Sequence, residues 1–259
     1  MPELQWGLAT DVGRLRELNE DALVAEPPLF AVADGMGGHA AGEVAADLAL
    51  QEMRSLATLA FVGSQEVVEA IAHANQRIVE HGSGESQGMG TTLAGLCLGT
   101  VGGSPHWIVF NVGDSRVYRF ADGVLEQLTT DHSEVQEMVA AGQISADQAR
   151  VHPNRNIITR SLGTQPAPVP DVWVNPAGEA ETYLVCSDGL TGEVTDAEIR
   201  QVLDHGAVAQ SSADDLCGLA LAAGGHDNIS VVIVRGQGNV ISQVDDATAP
   251  RSQTLKDSA

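Results

Sequence analysis

Four aspartates stand where an apolar, strand-like run of residues meets a glycine-containing turn. Asp34, Asp114 and Asp188 come after such runs, and Asp227 comes directly before one. A buried strand holds its backbone rigidly, and at its end a side chain can reach solvent. If these ends converge, the carboxylates cannot all stay ionised unless cations lie between them. Because oxygen-only ligands select hard divalent ions, the pattern favours Mg²⁺ or Mn²⁺ over zinc.

Aspartate beside glycine is also common in ordinary turns, which is the simpler interpretation of any single pair. Asp122-Gly123 fits that interpretation, since it separates two apolar runs that could form a hairpin. The other four aspartates differ in context, but their spacing alone leaves both interpretations open.

Hydrophobic periodicity and turn residues predict the elements that position these aspartates. The runs 107–112 and 116–120, on either side of Gly113-Asp114, are interpreted as the two strands of one hairpin. Strands are predicted at 4–10, 22–25, 29–33, 92–98, 107–112, 116–120, 170–174, 182–186 and 229–234.

Helices are predicted between these strands. Residues 43–59 have apolar side chains at helical spacing, and Ser64 is predicted to cap a helix that stops at Gly82. Ser212 is predicted to cap a last helix that ends near Ala223. Because strands and helices occur in segregated runs, we expect an α+β fold with layered antiparallel sheets. Capping boxes predict further helices at 134–141, 146–150 and 196–204.

The domain organisation follows from composition along the chain. No linker is recognisable earlier, so residues 1–235 are predicted to form one domain. Residues 236–259 are polar without sustained apolar periodicity and predict a mobile tail. Residues 131–165 contain short helices and His152-Pro153, and they could form a flap beside a site.

Charge and cysteine usage restrict the classes of partner. The 259 residues include 13 Lys and Arg against 35 Asp and Glu, a net charge of −22. That charge disfavours nucleic acid and anionic membranes as partners and favours cations or basic protein segments. The alternative is that the charge serves only to keep the protein soluble. Three cysteines without metal-type spacing lie in apolar runs and are predicted to be buried, reduced thiols. Without a signal segment or a membrane-spanning run, the chain is expected in the cytoplasm.

Eight segments follow one another between residue 6 and about residue 235: Arg16–Asp21, Val32–Glu43, Gly88–Thr92, Val112–Arg116, Leu128–Ser133, His152-Pro153, Cys186–Leu190 and Gly225–Ser230. Together they resemble the motifs of the metal-dependent protein phosphatase family (PPM, protein phosphatase 2C type), and the short Asp-Gly-Met-Gly-Gly variant resembles its bacterial branch. The resemblance implies a four-layer α-β-β-α sandwich of two antiparallel sheets flanked by helices.

By this resemblance, the site holds two catalytic Mn²⁺ or Mg²⁺ ions and a possible weaker third. Asp34 would bridge the two catalytic ions, with the Gly35 carbonyl on one of them. Asp188 and Asp227 would complete the other ion's set of ligands. Asp114 would hold the third ion together with Asp188.

The resemblance also assigns supporting residues and an activity. Glu20 and Asp21 would act through metal-bound waters, and Asn228 would support Asp227 or those waters. Arg16 would bind the phosphate with its planar guanidinium, a surface pair with Glu20 being the alternative. The implied reaction is hydrolysis of phosphoserine and phosphothreonine in proteins by direct attack of a metal-bridging water. The expected partners are phosphoprotein substrates, including a bacterial Ser/Thr kinase and its targets, and the chain is expected to be a monomer.

One position departs from the family pattern. Many eukaryotic members have a histidine after the metal-bridging Asp-Gly, where this chain has Met36, so the general acid is not identified. His39 is a weak candidate for which a structural role is favoured. For His132 and His152, which flank the predicted flap, hydrogen bonding within loops is the simpler expectation.

Other phosphatase chemistries do not fit the sequence. No cysteine is followed by an arginine-ending phosphate loop, Gly88-Met89-Gly90 lacks the P-loop lysine, and the aspartate turns are too poor in histidine for a calcineurin-like site. The remaining alternative is a catalytically silent relative that acts as a scaffold. Silent relatives usually lose a metal carboxylate or the phosphate arginine. Retention of Arg16, Asp34, Asp188 and Asp227 favours an enzyme.

Overall fold

Two antiparallel sheets stack face to face in the computed structural model, which describes residues 3–37, 41–59, 62–82, 88–178, 180–205 and 208–237. The first sheet has the strand order β1 (Glu3–Asp11), β11 (Ile229–Gln237), β10 (Thr182–Cys186), β7 (Arg116–Ala121) and β8 (Val124–Gln127). The second has the order β2 (Asp21–Glu26), β3 (Leu29–Met36), β5 (Leu93–Val101), β6 (Ser104–Val112) and β9 (Asp171–Pro176), and the short β4 (Gly90–Thr91) pairs with β3.

Helices cover the outer face of each sheet. On the second sheet lie α1 (Ala41–Met53), extended by a 3-10 turn at Arg54–Thr58, and α2 (Ser64–His81). On the first sheet lie α6 (Asp196–Asp204) and α7 (Ala209–Ala223), with the short α5 (Asp188–Thr191) at the end of β10. The predicted α-β-β-α sandwich is confirmed.

Three apolar layers hold the sandwich together. Between the sheets, Phe30 and Trp107 of the second sheet meet Tyr183 of the first, with aliphatic residues around them. The outer layers join each sheet to its helices. Because central strands are buried on both faces, their sequences are continuous apolar runs rather than alternating ones. This is why the runs ending at the aspartates were recognisable.

The predicted hairpin of 107–112 with 116–120 is wrong. The strands β6 and β7 lie in different sheets, and the chain crosses from one sheet to the other at Gly113–Ser115. Gly113 has φ +109, and a Cβ there would lie 2.6 Å from the Thr92 side chain. Asp114 therefore lies on a crossing between sheets. The predicted turn at Asp122-Gly123 is confirmed, with φ values of 51° and 75° between β7 and β8.

Two predicted helix caps are also wrong. Ser64 is the first residue of α2, and the preceding Gly63 N–H donates to the Glu66 carboxylate at 2.9 Å. Ser212 lies inside α7, which begins three residues earlier, and its fully buried hydroxyl accepts from Arg235 at 3.1 Å. Its hydroxyl is used in packing, so it does not cap the helix.

Residues 131–165 contain α3 (Glu134–Ala140) and α4 (Ala146–Arg150), followed by an irregular segment. Isolated bridges join Ser133 to Ile158 and Thr91 to Leu162, so the segment is tied both to itself and to the second sheet. Its action as a flap stays a prediction.

The remaining predictions concern the chain ends, the cysteines and membrane crossing. The strand β11 continues to Gln237, and the rest of the predicted tail lies outside the described residues, as does His39. All three cysteines are free and buried, as predicted. Among the described residues, no helix has the length and apolar character needed to cross a membrane.

Candidate metal centre

A cleft opens where the ends of both sheets meet the segment 131–165. Every predicted site residue except Asp21 lines it, and Asp21 is the cross-strand neighbour of Asp34. The lining residues are Arg16, Glu20, Asp34, Gly35, Met36, Gly37, Thr92, Asp114, Asn156, Ile158, Asp188, Asp227 and Asn228.

Asp34 is held from its backbone by neighbouring threonines. Its N–H donates to the Thr92 hydroxyl at 3.0 Å, and its carbonyl accepts from Thr92 N–H and the Thr91 hydroxyl, both at 2.9 Å. Asp21 of β2 is its direct cross-strand partner. The following residue must be glycine, because a Cβ on Gly35 would lie 2.2 Å from the Gly42 carbonyl oxygen in α1.

The other aspartates arrive from the first sheet and from the crossing between sheets. Asp188 opens α5 directly after β10, and Asp227 directly precedes the Asn228-Ile229 start of β11. Since β10 and β11 are neighbours, these two side chains meet at one end of the sheet. Asp114 enters from the crossing between β6 and β7.

Burial and mutual repulsion disfavour ionisation of the aspartates in this cluster. Burial is the largest cause that raises the pKa of Asp34 well above its usual range, and repulsion from Asp21 is the next. Burial likewise raises the pKa of Asp114 to about 8 and of Asp21 to about 7. The pKa of Asp188 is raised by burial and by repulsion from Asp227, while a hydrogen bond with Asp34 acts in the opposite direction.

Arg16 is the guanidinium at the mouth of the cleft. It donates to Asp227 at 2.7 Å, and this hydrogen bond is the largest cause that raises its pKa. The alternative pairing with Glu20 is not formed: the Glu20 carboxylate accepts from Gly42 N–H in the first turn of α1, at 3.2 Å. About half of the Arg16 side chain is exposed, so part of it faces the opening.

Asn228 fixes the loop that carries Arg16. Its amide group donates to the carbonyls of Val12 and Leu18, both at 2.9 Å, and its Oδ1 accepts from Glu20 N–H at 2.9 Å. Its own backbone N–H donates to Asp227 Oδ1 at 2.8 Å. The predicted support of Asp227 thus comes from the backbone of Asn228, while its side chain holds the loop.

The residues fit a centre for divalent cations. Five carboxyls line one cleft, those of Glu20, Asp34, Asp114, Asp188 and Asp227, and the pKa is raised in three of them. Among the described residues, the buried Oδ1 atoms of Asp188 and Asp21 have no hydrogen-bond partner. Within the described ranges, no three His, Cys, Asp or Glu side chains lie in an arrangement that could hold a metal ion without some movement. Asp227 has both oxygens engaged, but each carboxylate oxygen keeps a second lone pair for a cation. Oxygen donors of this kind suit Mg²⁺ or Mn²⁺.

Sequence reasoning missed several residues of the cleft. Asn156 and Ile158 line it from the segment 131–165, and Thr92 supports Asp34. Asn156 and Ile158 belong to an irregular segment whose position depends on contacts with distant residues, so no local pattern marks them. Thr92 lies in one of the recognised motifs, but its hydroxyl contact depends on pairing between distant strands.

The two described histidines near that segment are used in loop packing. His132 accepts from Gly113 N–H through Nδ1 at 3.0 Å, and burial lowers its pKa. His152 accepts from Asn154 N–H at 3.2 Å. Neither lines the cleft.

Comparison with known proteins gives consistent matches over nearly the whole chain. The family model described as Protein phosphatase 2C matches residues 16–216. The chain is 38% identical to the serine/threonine phosphatase stp of Listeria monocytogenes, covering 87% of this chain and 93% of that protein. It is 35% identical to protein phosphatase PhpP of Streptococcus pneumoniae, covering 89% of this chain and 97% of that protein.

Solved structures agree with these matches. The serine/threonine phosphatase PstP/Ppp of Mycobacterium tuberculosis superposes with a TM-score of 0.84 at 36% identity, covering 90% of this chain and 99% of that one. The catalytic domain of PstP in complex with two manganese ions superposes with a TM-score of 0.83 at 34% identity, covering 90% and 98%.

Proposed function

The chain belongs to the protein phosphatase 2C family of metal-dependent serine/threonine phosphatases, and we propose that its acid-lined cleft is the active site. The observation that carries the proposal is the convergence of Asp34, Asp114, Asp188 and Asp227 with Arg16 in one cleft. A cluster of half-buried carboxylates, with Arg16 as the one arginine among the described residues that lines the cleft, has too little positive charge of its own. Divalent cations supply that charge.

Mn²⁺ or Mg²⁺ would be held by Asp34, the Gly35 carbonyl, Asp188 and Asp227, with Asp114 and Asp188 available to a third ion. When bound, the ions lower the pKa of a coordinated water and stabilise charge on the phosphoryl oxygens. Glu20 and Asp21 would act through waters of the ions. The catalytic domain of PstP, to which this chain is 34% identical, was solved with two manganese ions, which supports a pair of ions at this site.

Arg16 binds and orients the phosphate in this proposal. Its half-exposed guanidinium can direct N–H groups to two phosphate oxygens while Asp227 holds it in place. Asn228 keeps the loop of Arg16 in position through three hydrogen bonds to its backbone. Asn156 and Ile158 border the cleft from the segment 131–165 and would contact the peptide that carries the phosphate.

The substrates are phosphoproteins, and we propose that they include a Ser/Thr kinase and its targets. With a net charge of −22, the surface favours basic residues around the phosphosite, which rates on matched basic and acidic phosphopeptides at low and high salt would test. A monomeric state and a cytoplasmic location stay predictions, the latter supported by three buried, free cysteines.

Hydrolysis of p-nitrophenyl phosphate and of a phosphothreonine peptide, with and without Mn²⁺, tests the function. We expect turnover that requires Mn²⁺ and is lost in Asp34→Asn. A folded protein that binds Mn²⁺ without turning over either substrate would instead establish the silent scaffold. Treating a cell's phosphoproteome with the wild type, and with Asp188→Asn as control, would then identify the substrates.

A further inference from the structure

The hydroxyl groups of Ser187, Ser230 and Thr10 are connected by hydrogen bonds next to the cleft, and the Ser230 backbone N–H provides the link to Ser187. Ser187 Oγ donates to Asp21 Oδ2 at 2.8 Å and accepts from Ser230 N–H at 3.0 Å. Ser230 Oγ lies 2.9 Å from Thr10 Oγ1, which in turn accepts from Asn19 at 2.9 Å. Both serines are fully buried.

These hydrogen bonds join the two sheets next to the cleft. Asp21 begins β2 of the second sheet, while Ser187 follows β10, Ser230 lies in β11 and Thr10 lies in β1, all of the first sheet. Ser187 immediately precedes Asp188, and Ser230 follows Asp227 by three residues. A shift of this contact would therefore move carboxylates from both sheets relative to one another.

The direction of the hydrogen bonds is determined by the donors available. The Ser230 N–H can only donate, so Ser187 Oγ accepts it and directs its single proton to Asp21. The carboxylate is thereby held by Oδ2, and the Ser230 side chain also lowers its pKa as a hydrogen-bonding neighbour. Among the described residues, the buried Oδ1 has no partner within hydrogen-bond distance. Among neighbouring charges, Asp21 has the largest effect on Asp34, its cross-strand partner.

If Asp21 had only a structural role, its Oδ1 would be expected to accept a hydrogen bond as well. A buried carboxylate oxygen without a donor costs free energy unless something else satisfies it. The free oxygen belongs to the same charge cluster as Asp34, Asp188 and Asp227. The hydrogen bond from Ser187 to Oδ2 thus restrains a carboxylate whose charge acts on that cluster.

We propose that Ser187, supported by Ser230 and Thr10, is a positioning residue that orients Asp21 toward the metal centre. Through Asp21 it sets the affinity of the metal centre for divalent cations. The inference rests on the proposed function, because it assumes that the cleft binds Mn²⁺. Ser187 itself touches neither substrate nor cation; it acts through Asp21.

Calorimetric titration of metal-free protein with Mn²⁺, without substrate, tests the proposal. Ser187→Ala should raise the Kd for Mn²⁺ by about 10-fold or more, as expected for loss of a group that orients metal ligands. Ser212→Ala is the matched control: it removes another fully buried serine hydroxyl, on α7, and should leave the Kd unchanged. Ser187→Cys replaces the hydroxyl with a larger thiol that donates a weaker hydrogen bond, and it serves if the alanine variant does not fold.

A double-mutant cycle with Asp21→Asn separates positioning from general destabilisation. If Ser187 acts through Asp21, the double variant should bind Mn²⁺ no more weakly than Asp21→Asn alone. Additive losses, or an unchanged Kd in Ser187→Ala and Ser187→Cys, would overturn the proposal. A wild type that does not bind Mn²⁺ at all would overturn the proposed function instead, so the two failures are distinguishable.

Discussion

The strand β10 has a carboxylate beyond each of its ends, and the surrounding residues compensate the charge of one but not of the other. Glu181 precedes the strand at the end away from the cleft, and Asp188 follows it at the cleft. Glu181 accepts from Arg119 at 2.7 Å, from the Tyr183 hydroxyl at 2.7 Å and from Gly178 N–H at 3.1 Å. Its charge is thus compensated within the chain.

At the other end, no arginine in the described part of the chain forms a hydrogen bond with Asp188. Its Oδ1 has no hydrogen-bond partner among those residues, and its neighbours Asp227 and Asp34 are themselves carboxylates. Arg16 donates to Asp227, and its charge acts on Asp188 without a hydrogen bond. A paired buried carboxylate contributes to structure, whereas an unpaired cluster costs stability that a bound cation can offset. The same strand therefore joins a structural end to a functional end.

Replacing each carboxylate beside β10 with its isosteric amide tests this comparison with the largest expected effect. We expect Asp188→Asn to reduce kcat by more than the 10–100-fold typical of groups that only orient metal ligands, while the metal-free protein is as stable as wild type or more so. Glu181→Gln should leave kcat unchanged and lower the free energy of unfolding by about 1–2 kcal/mol. The loss is this small because Arg119 is partly exposed and solvent weakens its interaction with Glu181. Steady-state kinetics and urea unfolding measure both. Loss of activity in Glu181→Gln at full folding would contradict the division.

The two arginines give the next contrast. Arg16→Ala removes a charged hydrogen bond to the phosphate, so KM should rise about 10–100-fold with a smaller change in kcat. Arg119→Ala, its structural counterpart, should lower the urea midpoint and leave KM unchanged. A fall in kcat alone for Arg16→Ala would show that Arg16 stabilises the transition state and not the bound substrate.

Asp114 sharpens the comparison within the cleft itself. It lines the cleft from the crossing between sheets, apart from the neighbouring strands that carry Asp188 and Asp227. We expect Asp114→Asn to lower turnover about 10-fold at moderate Mn²⁺ and to recover at high Mn²⁺, since only the weaker third ion is affected. Turnover measured across a Mn²⁺ series decides this. A loss as complete as that of Asp188→Asn would place Asp114 among the ligands of the catalytic pair.

The smallest expected effect is on the pH dependence of stability. Burial raises the native pKa of Asp21 to about 7 and of Asp114 to about 8, whereas in the unfolded chain both are near 3.9. Between about pH 4 and 8 the native state therefore binds more protons than the unfolded state, and stability falls as pH rises. We expect metal-free protein to lose on the order of 1–3 kcal/mol over this range.

Urea unfolding at several pH values, with and without Mn²⁺, measures this loss. Saturating Mn²⁺ should abolish the decline, because a cation favours the ionised carboxylates. The decline in stability with rising pH should be shallower in Asp114→Asn and unchanged in Glu181→Gln. Metal-free protein that became more stable from pH 5 to 8 would contradict the raised pKa values.

The sequence by itself determined the fold class, the approximate positions of most elements and most residues of the candidate site, while β4, β8 and α5 were not predicted. These signals are local: an apolar run, a turn glycine beside Asp34 or Asp188, and the ordered motifs around them. Helices at 146–150 and 196–204 were predicted to the residue because capping boxes define their starts within four positions.

Only the tertiary structure decided what depends on contacts between distant parts of the chain. It placed β6 and β7 in different sheets, brought Asn156 to the cleft, paired Arg16 with Asp227 and joined Ser187 to Asp21. The physical reason is that strand pairing and side-chain hydrogen bonds of this kind depend on which sheet faces which. No window of neighbouring residues contains that information.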